Sequence, residues 1–431
     1  MNKYQFNLIK TLISNKTLKI PVKTFSTLCK QSIWSGIGPS TPDPILGLSV
    51  AFNADTNPNK VNLGVGAYRD GEGNPYVLEC VKSAQARQQT KSLEYAPIDG
   101  HGDFIKASQK IAFGEDPELI ERTGTVQTLS GTGALRIGAE LIAQCNKDNQ
   151  IFSKSIYYPN PTWPTHGKIM DRAGLFHSHY YYWDSSTNSI GFDRMIEDID
   201  NMWQGGIILF HACAHNPTGT DPTIEQWKEI SHVCAKKSHI VWFDSAYQGF
   251  ASGNLLTDSE SYKIFIRDGH QIILSQSFAK NMGLYGMRTG ALHIVTKSPQ
   301  EKSNVVDKLK TIIRPMYSSP PVEGARIVTA IANDPLLYKL WTGELRIMSE
   351  RIANMRAQLV SALVSAGSIR DWSHINRQIG MFAYTGINSN QVNQLISQYH
   401  IYLTQDGRIS IPGLTANNVE YVANAIHQVT K

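Results

Sequence analysis

The chain has 431 residues, 41% hydrophobic and 18% charged, which is material for one large or two medium domains with a sizeable core. Its net charge of +5 would suit a polyanionic partner, but six lysines before Asp43 (Lys3, Lys10, Lys16, Lys19, Lys23 and Lys30) more than account for it. The remaining body is near neutral, which argues against a groove for nucleic-acid backbone, and no apolar run has the length of a membrane-spanning helix.

The first segment, MNKYQFNLIKTLISNKTLKIPVKTFSTLCKQSIW, mixes lysine, hydroxyl and apolar residues without a single acid. That composition predicts a mitochondrial transit peptide over residues 1–32, although it lacks arginine, the first being Arg69. Five scattered cysteines (Cys29, Cys80, Cys145, Cys213 and Cys234) match no metal or disulfide spacing and fit a reducing compartment. Residues 125–144, TVQTLSGTGALRIGAELIAQ, read as strand, glycine turn and helix. IFSKSIYYPNPTW (151–163) reads as a strand running into a proline-rich loop, and GGIILFHACAHNPTG (205–219) as another strand. DPTIEQWKEISHVCAKK (221–237) is expected to be a helix with Asp221 as N-cap and Pro222 in its first turn. SHIVWFDSAY (238–247) and HQIILSQS (270–277) are again strand-like, as is ALHIV (291–295).

Strands alternating with helices imply βαβ units and a mainly parallel sheet. After residue 340 the pattern changes to a long helix and shorter elements, ending in YLTQDGRISIPG and a terminal helix. We read domains over 76–343 (large) and 344–431 (small), with 43–75 as an N-terminal arm joining the latter.

In parallel sheets ligands bind beyond the carboxyl ends of the strands. The polar residues there are Ser130, Gly131, Thr132, Trp163, Asn216, Asp244, Tyr247, Ser277 and Lys280. SGTG (130–133) offers backbone and hydroxyl donors at a helix start, which suits a phosphate, and Arg288 can complete that clamp. Each residue has an ordinary explanation when taken singly: a loop lysine, a capping aspartate, a core tryptophan, a turn asparagine. Together they are the set needed by a phosphorylated heterocycle: an amine nucleophile, a carboxylate for a ring nitrogen, and donors for a ring oxygen.

Longer motifs carry a resemblance: VNLGVGAYRD (61–70), VQTLSGTGALRIGA (126–139), HACAHNPTGTDP (211–222), FDSAYQGFASG (243–253), SQSFAKNMGLYGMR (275–288), RPMYSSPPVEGARI (314–327) and DGRISIPGL (406–414). With them the chain resembles the aspartate aminotransferases, mitochondrial type, of the class I pyridoxal-phosphate-dependent family. The resemblance implies fold type I: a large α/β domain with a mainly parallel sheet flanked by helices, plus a smaller α/β domain. It implies pyridoxal 5'-phosphate as cofactor and reversible ping-pong amino transfer between aspartate and 2-oxoglutarate through an internal aldimine on Lys280.

The same resemblance makes Lys280, Asp244, Tyr247 and Trp163 catalytic. It gives the phosphate to Ser130, Gly131, Thr132, Ser277, Arg288 and, from a partner subunit, Tyr95. Gly66, Trp163, Asn216 and Arg408 would meet the substrate α-carboxylate, and Arg314 its distal carboxylate across a homodimer interface. A matrix location follows, with dicarboxylic amino and keto acids as small-molecule partners and no metal. Four positions depart from the family pattern: Ser319 replaces Asn, Met287 replaces an acid, and Pro164-Thr165 replaces Gly-Asn. An aromatic or kynurenine-type aminotransferase, or a non-catalytic binding protein on this fold, are the alternatives.

Overall fold

The computed structural model describes residues 45–88, 92–149 and 155–431, together with 32, 34–39 and 43. The expected transit peptide therefore lies, apart from Ser32, outside the described residues. Residues 34–36 form a turn in which the Ile37 N–H meets the Trp34 carbonyl at 3.0 Å.

The rest is built around a seven-stranded sheet. Its strands are β1 (Thr123–Leu129), β2 (Ser155–Asn160), β3 (Phe176–Tyr181), β4 (Ile207–His211), β5 (Ile240–Ser245), β6 (Ile272–Ser277) and β7 (Thr289–Val295). They lie in the order β1-β7-β6-β5-β4-β2-β3. β7 is antiparallel to both its neighbours, and the remaining pairs are parallel. The central strands are apolar on both faces because helices cover both. Ile208, Phe210, Val241, Phe243, Ile272 and Leu274 enter one core, whereas Ile207, Leu209, Trp242 and Ile273 enter the opposite one. That alternation is the two-residue period of a strand with no solvent face.

One helix differs from expectation. It spans Ile224–Lys236, and its N-cap is Thr223, whose side chain accepts from the Gln226 N–H while Gln226 reciprocates. Asp221 instead accepts the backbone N–H groups of Ala214 and His215 at 2.6 and 2.9 Å. Those two donors, in a buried loop, would otherwise have no partner, so the carboxylate is used there and the threonine closes a capping box.

A 31-residue helix, Pro335–Ser365, begins at Asp334, whose side chain caps two N–H groups, and runs unbroken through 343/344. Beyond it, Phe382–Tyr384 pairs antiparallel with Arg408–Ser410, and Val61–Asn62 pairs parallel with Ile401–Tyr402. The second pairing ties the N-terminal segment to the C-terminal region. Among the described residues no helix is long and apolar enough to cross a membrane.

Candidate active site

The carboxyl ends of β1, β5 and β6 share one edge of the sheet. β7 runs the other way, so its amino end, preceded by Arg288, reaches the same edge: Thr289 pairs with Leu129 and Gly290 with Ser277. Arg288, far from Ser130 in sequence, is thereby its neighbour. Ser130 (φ 61°) and Arg288 (φ 48°) both hold left-handed backbone, a strained conformation that clusters at binding sites.

A pocket with about 580 Å3 of open space sits on this edge. Ser130, Gly131, Thr132, Trp163, Asn216, Asp244, Tyr247, Ser277, Lys280 and Arg288 all line it. The Ser130 and Ser277 hydroxyls are 2.9 Å apart, and the Ala279 N–H donates to Ser277 at 3.2 Å. Gly131 lies at the start of the Ser130–Asn149 helix, where unpaired N–H groups favour an anion. A Cβ there would stand 3.2 Å from the Ser277 Cβ, so glycine keeps the cradle open.

Lys280 is half-buried, its Nζ 5.3 Å from the centre of the Tyr247 ring. Burial lowers its pKa from the ordinary lysine value; Asp244 pulls it back up, and Arg288 and Arg408 push it further down. A depressed amine is the condition for a lysine that must act as base or nucleophile near neutral pH. Burial of Asp244 would raise its carboxyl, but the hydrogen bond from His166, helped by the nearby Lys280 amine, outweighs this and holds it below the ordinary value.

Behind Asp244 lies a relay that sequence reasoning missed. The Asn216 N–H donates to His211 Nδ1 at 3.1 Å, which leaves the His211 proton on Nε2. His211 Nε2 then donates to Thr162 Oγ1 at 3.0 Å, and Thr162 donates to His166 Nδ1 at 2.9 Å. His166 Nε2 is left to donate to Asp244 Oδ2 at 3.2 Å. Burial lowers the His211 pKa to about 3, so that ring is neutral, its one proton sits on Nε2, and the direction of the chain is set. Trp163 meets His166 edge to face at 5.3 Å. The signal for His211 was present, since it ends an apolar strand; nothing in the sequence marked Thr162.

Arg408 is 3% exposed, and no carboxylate pairs with its guanidinium among the described residues. Its Nη1 donates to Asn216 Oδ1 at 3.1 Å and its Nη2 to the Gly64 carbonyl at 2.8 Å, while its Nε has no partner. A buried cation held by neutral acceptors is costly unless an anion arrives. Gly66 lies against the Phe382 ring, where a Cβ would approach Cζ to 2.8 Å.

Four expected residues do not line the pocket: Arg408 adjoins it through Asn216, Gly66 packs on Phe382, and two others lie on the surface. Tyr95 is 84% exposed, and Arg314, at the end of the Pro299–Met316 helix, is exposed and donates to Ser318 Oγ at 2.6 Å. Tyr95 lines a separate surface depression with Ser319 and Met287, two of the positions that depart from the family pattern. Arg288 borders both cavities.

The residues present fit pyridoxal phosphate: an open glycine cradle beside two hydroxyls and an arginine, a carboxylate kept ionised, and a depressed lysine in one pocket. A family model described as aminotransferase class I and II matches residues 58–426. The mitochondrial aspartate aminotransferase of Dictyostelium discoideum is 50% identical over 97% of this chain and 98% of its own length. Among solved structures, a mitochondrial aspartate aminotransferase from Trypanosoma brucei is similar at TM-score 0.86 and 45% identity, covering 89% of this chain and 100% of that one. An aromatic-amino-acid aminotransferase from Burkholderia pseudomallei, covalently bound to pyridoxal phosphate, is similar at TM-score 0.88 and 40% identity, covering 93% and 100%.

Proposed function

The chain belongs to the class I and II aminotransferase family, and from that premise we propose its activity and the work of its residues. It is a pyridoxal-phosphate-dependent aspartate aminotransferase, exchanging the amino group between the aspartate–oxaloacetate and glutamate–2-oxoglutarate pairs. The observation that carries this reading is the shared pocket of Lys280, Asp244 and the Ser130–Thr132 cradle, in a chain half identical to a protein of that name.

When bound, pyridoxal phosphate supplies a conjugated electron sink for the electron pair left at the substrate Cα. The chain's residues do the rest. Ser130, Gly131, Thr132, Ser277 and Arg288 would hold the phosphate, Trp163 would cover the ring, and Asn216 and Tyr247 would donate to its oxygen. Asp244, kept ionised by the His166 relay, would hold the proton on the ring nitrogen. Lys280 would anchor the cofactor and then carry the proton from the substrate Cα, which its depressed pKa allows at neutral pH. Arg408 would take the α-carboxylate in its fork, exchanging neutral acceptors for a charged one.

The exposure of Tyr95 and Arg314 supports a homodimer in which each subunit lends these two residues to the other's pocket. In this reading the two-part organisation, 76–343 against 43–75 with 344–431, has the Pro335–Ser365 helix as a shared spine. Mitochondrial relatives support a mitochondrial location, and we assign the matrix on the acid-free N-terminal segment.

Two experiments test the reading. The cofactor-loaded protein should have a long-wavelength absorption band that aspartate removes and 2-oxoglutarate restores; a band indifferent to aspartate overturns it. The likeness to an aromatic-amino-acid aminotransferase makes side activity on phenylalanine the second reading. Arg314→Leu should cut kcat/KM for aspartate about a thousandfold while changing that for phenylalanine less than about tenfold. Equal losses on both would remove Arg314 from the distal-carboxylate role.

A further inference from the structure

Arg408 has a face as well as edges, and that face is covered. The Phe382 ring lies 4.1 Å from the Arg408 Cζ, with both residues 3% exposed. The two strands explain the contact: Arg408 pairs with Tyr384 and Phe382 with Ser410, so Arg408 and Phe382 are diagonal neighbours on one face of an antiparallel pair. The same ring packs on Gly66 and meets Tyr247 edge to face at 6.0 Å. One aromatic ring thus touches three residues assigned to the site.

Its backbone is held with similar care. Arg356, also 3% exposed, donates through Nη2 to the Phe382 carbonyl at 2.7 Å and to the Gly380 carbonyl. No carboxylate pairs with Arg356 among the described residues, and its Nη1 has no partner. Burial lowers its pKa to about 9. A buried cation that serves two backbone carbonyls is an expensive way to anchor a loop, and the hydrophobic alternative costs less. What it fixes is the platform under Arg408.

We propose that Phe382 and Arg356 are positioning residues for carboxylate recognition: the Phe382 ring sets the plane of the Arg408 guanidinium, and Arg356 fixes Phe382. This rests on the reading that Arg408 binds the substrate carboxylate. The guanidinium plane matters because two parallel hydrogen bonds to a carboxylate demand coplanarity. A desolvated cation–π contact also offsets part of the cost of a buried charge while no anion is bound.

The test uses the cofactor-loaded enzyme. Phe382→Leu keeps apolar volume but removes the aromatic face. It should raise KM for aspartate and for 2-oxoglutarate about tenfold, with kcat changed less than about threefold. The dissociation constant of maleate, a non-reacting dicarboxylate, should rise by the same factor, and the cofactor band should be retained. Phe382→Tyr, which keeps the face, should restore most of the affinity. Arg356→Met should weaken maleate in the same way, and combining it with Phe382→Leu should add little, since one acts through the other. Unchanged maleate affinity in a folded, loaded Phe382→Leu enzyme overturns the proposal, as do fully additive effects. Arg408→Leu is the control: if it leaves maleate binding intact, the carboxylate role of Arg408 fails. If it weakens maleate while Phe382→Leu does not, the positioning role fails and the carboxylate role stands.

Discussion

Lys280→Ala should abolish turnover, lowering kcat by about 10^4-fold or more, while leaving the fold and noncovalent cofactor binding in place. The lysine supplies both a covalent anchor and the proton carrier, and general acid–base action accounts for about 10^2 to 10^4 by itself. Removing it leaves no comparable amine at the pocket, because the other cations lining or adjoining it are guanidiniums, Arg288 and Arg408. The phosphate cradle of Ser130, Gly131, Thr132, Ser277 and Arg288 is untouched. Stopped-flow absorbance with aspartate would read the rate, and equilibrium dialysis the cofactor. Turnover within about tenfold of the parent would remove Lys280 from its role.

Asp244→Asn is expected to have the second largest effect on the chemical step. Two opposite charges in contact at a partly buried site interact by about 4 kcal/mol. Losing that term where a ring nitrogen must stay protonated slows the reaction roughly a thousandfold. Asparagine keeps the shape and can still meet His166, so the change isolates charge. The substitution also has a signature apart from rate. The Asp244 carboxylate raises the Lys280 pKa against the lowering by burial, Arg288 and Arg408. With that anion gone, the Lys280 amine of the cofactor-free protein should lose its proton at lower pH. Amine-reactive labelling followed against pH would show the midpoint moving down. A midpoint that stays put or rises, or a rate within about tenfold of the parent, would contradict the assignment.

Much of the site was readable from the chain because it lies on short contiguous stretches. SGTG, HNPTG, FDSAY and SQSFAK each end an apolar run, and a parallel sheet brings such ends to one edge. The long motifs also carried the resemblance that the family model and the relatives bear out. Local capping was less legible. Asp221 beside Pro222 has the form of a helix start, yet its carboxylate serves the Ala214 and His215 N–H groups, a demand visible only once the loop is folded.

Strand period, strand-end chemistry and the acid-free N-terminal composition were determined by the sequence itself, since each depends on residues a few positions apart. Sheet order was not. The reversal of β7 makes Arg288 a neighbour of Ser130 and Ser277, and no local pattern encodes that reversal. The relay from Asn216 through His211, Thr162 and His166 to Asp244 joins three separate segments. The Phe382 platform under Arg408 likewise needs the diagonal of two paired strands. A lysine's chemistry is written in its type, but its pKa is set by burial and by the charges the fold gathers around it. At Lys280, only the tertiary structure supplied both.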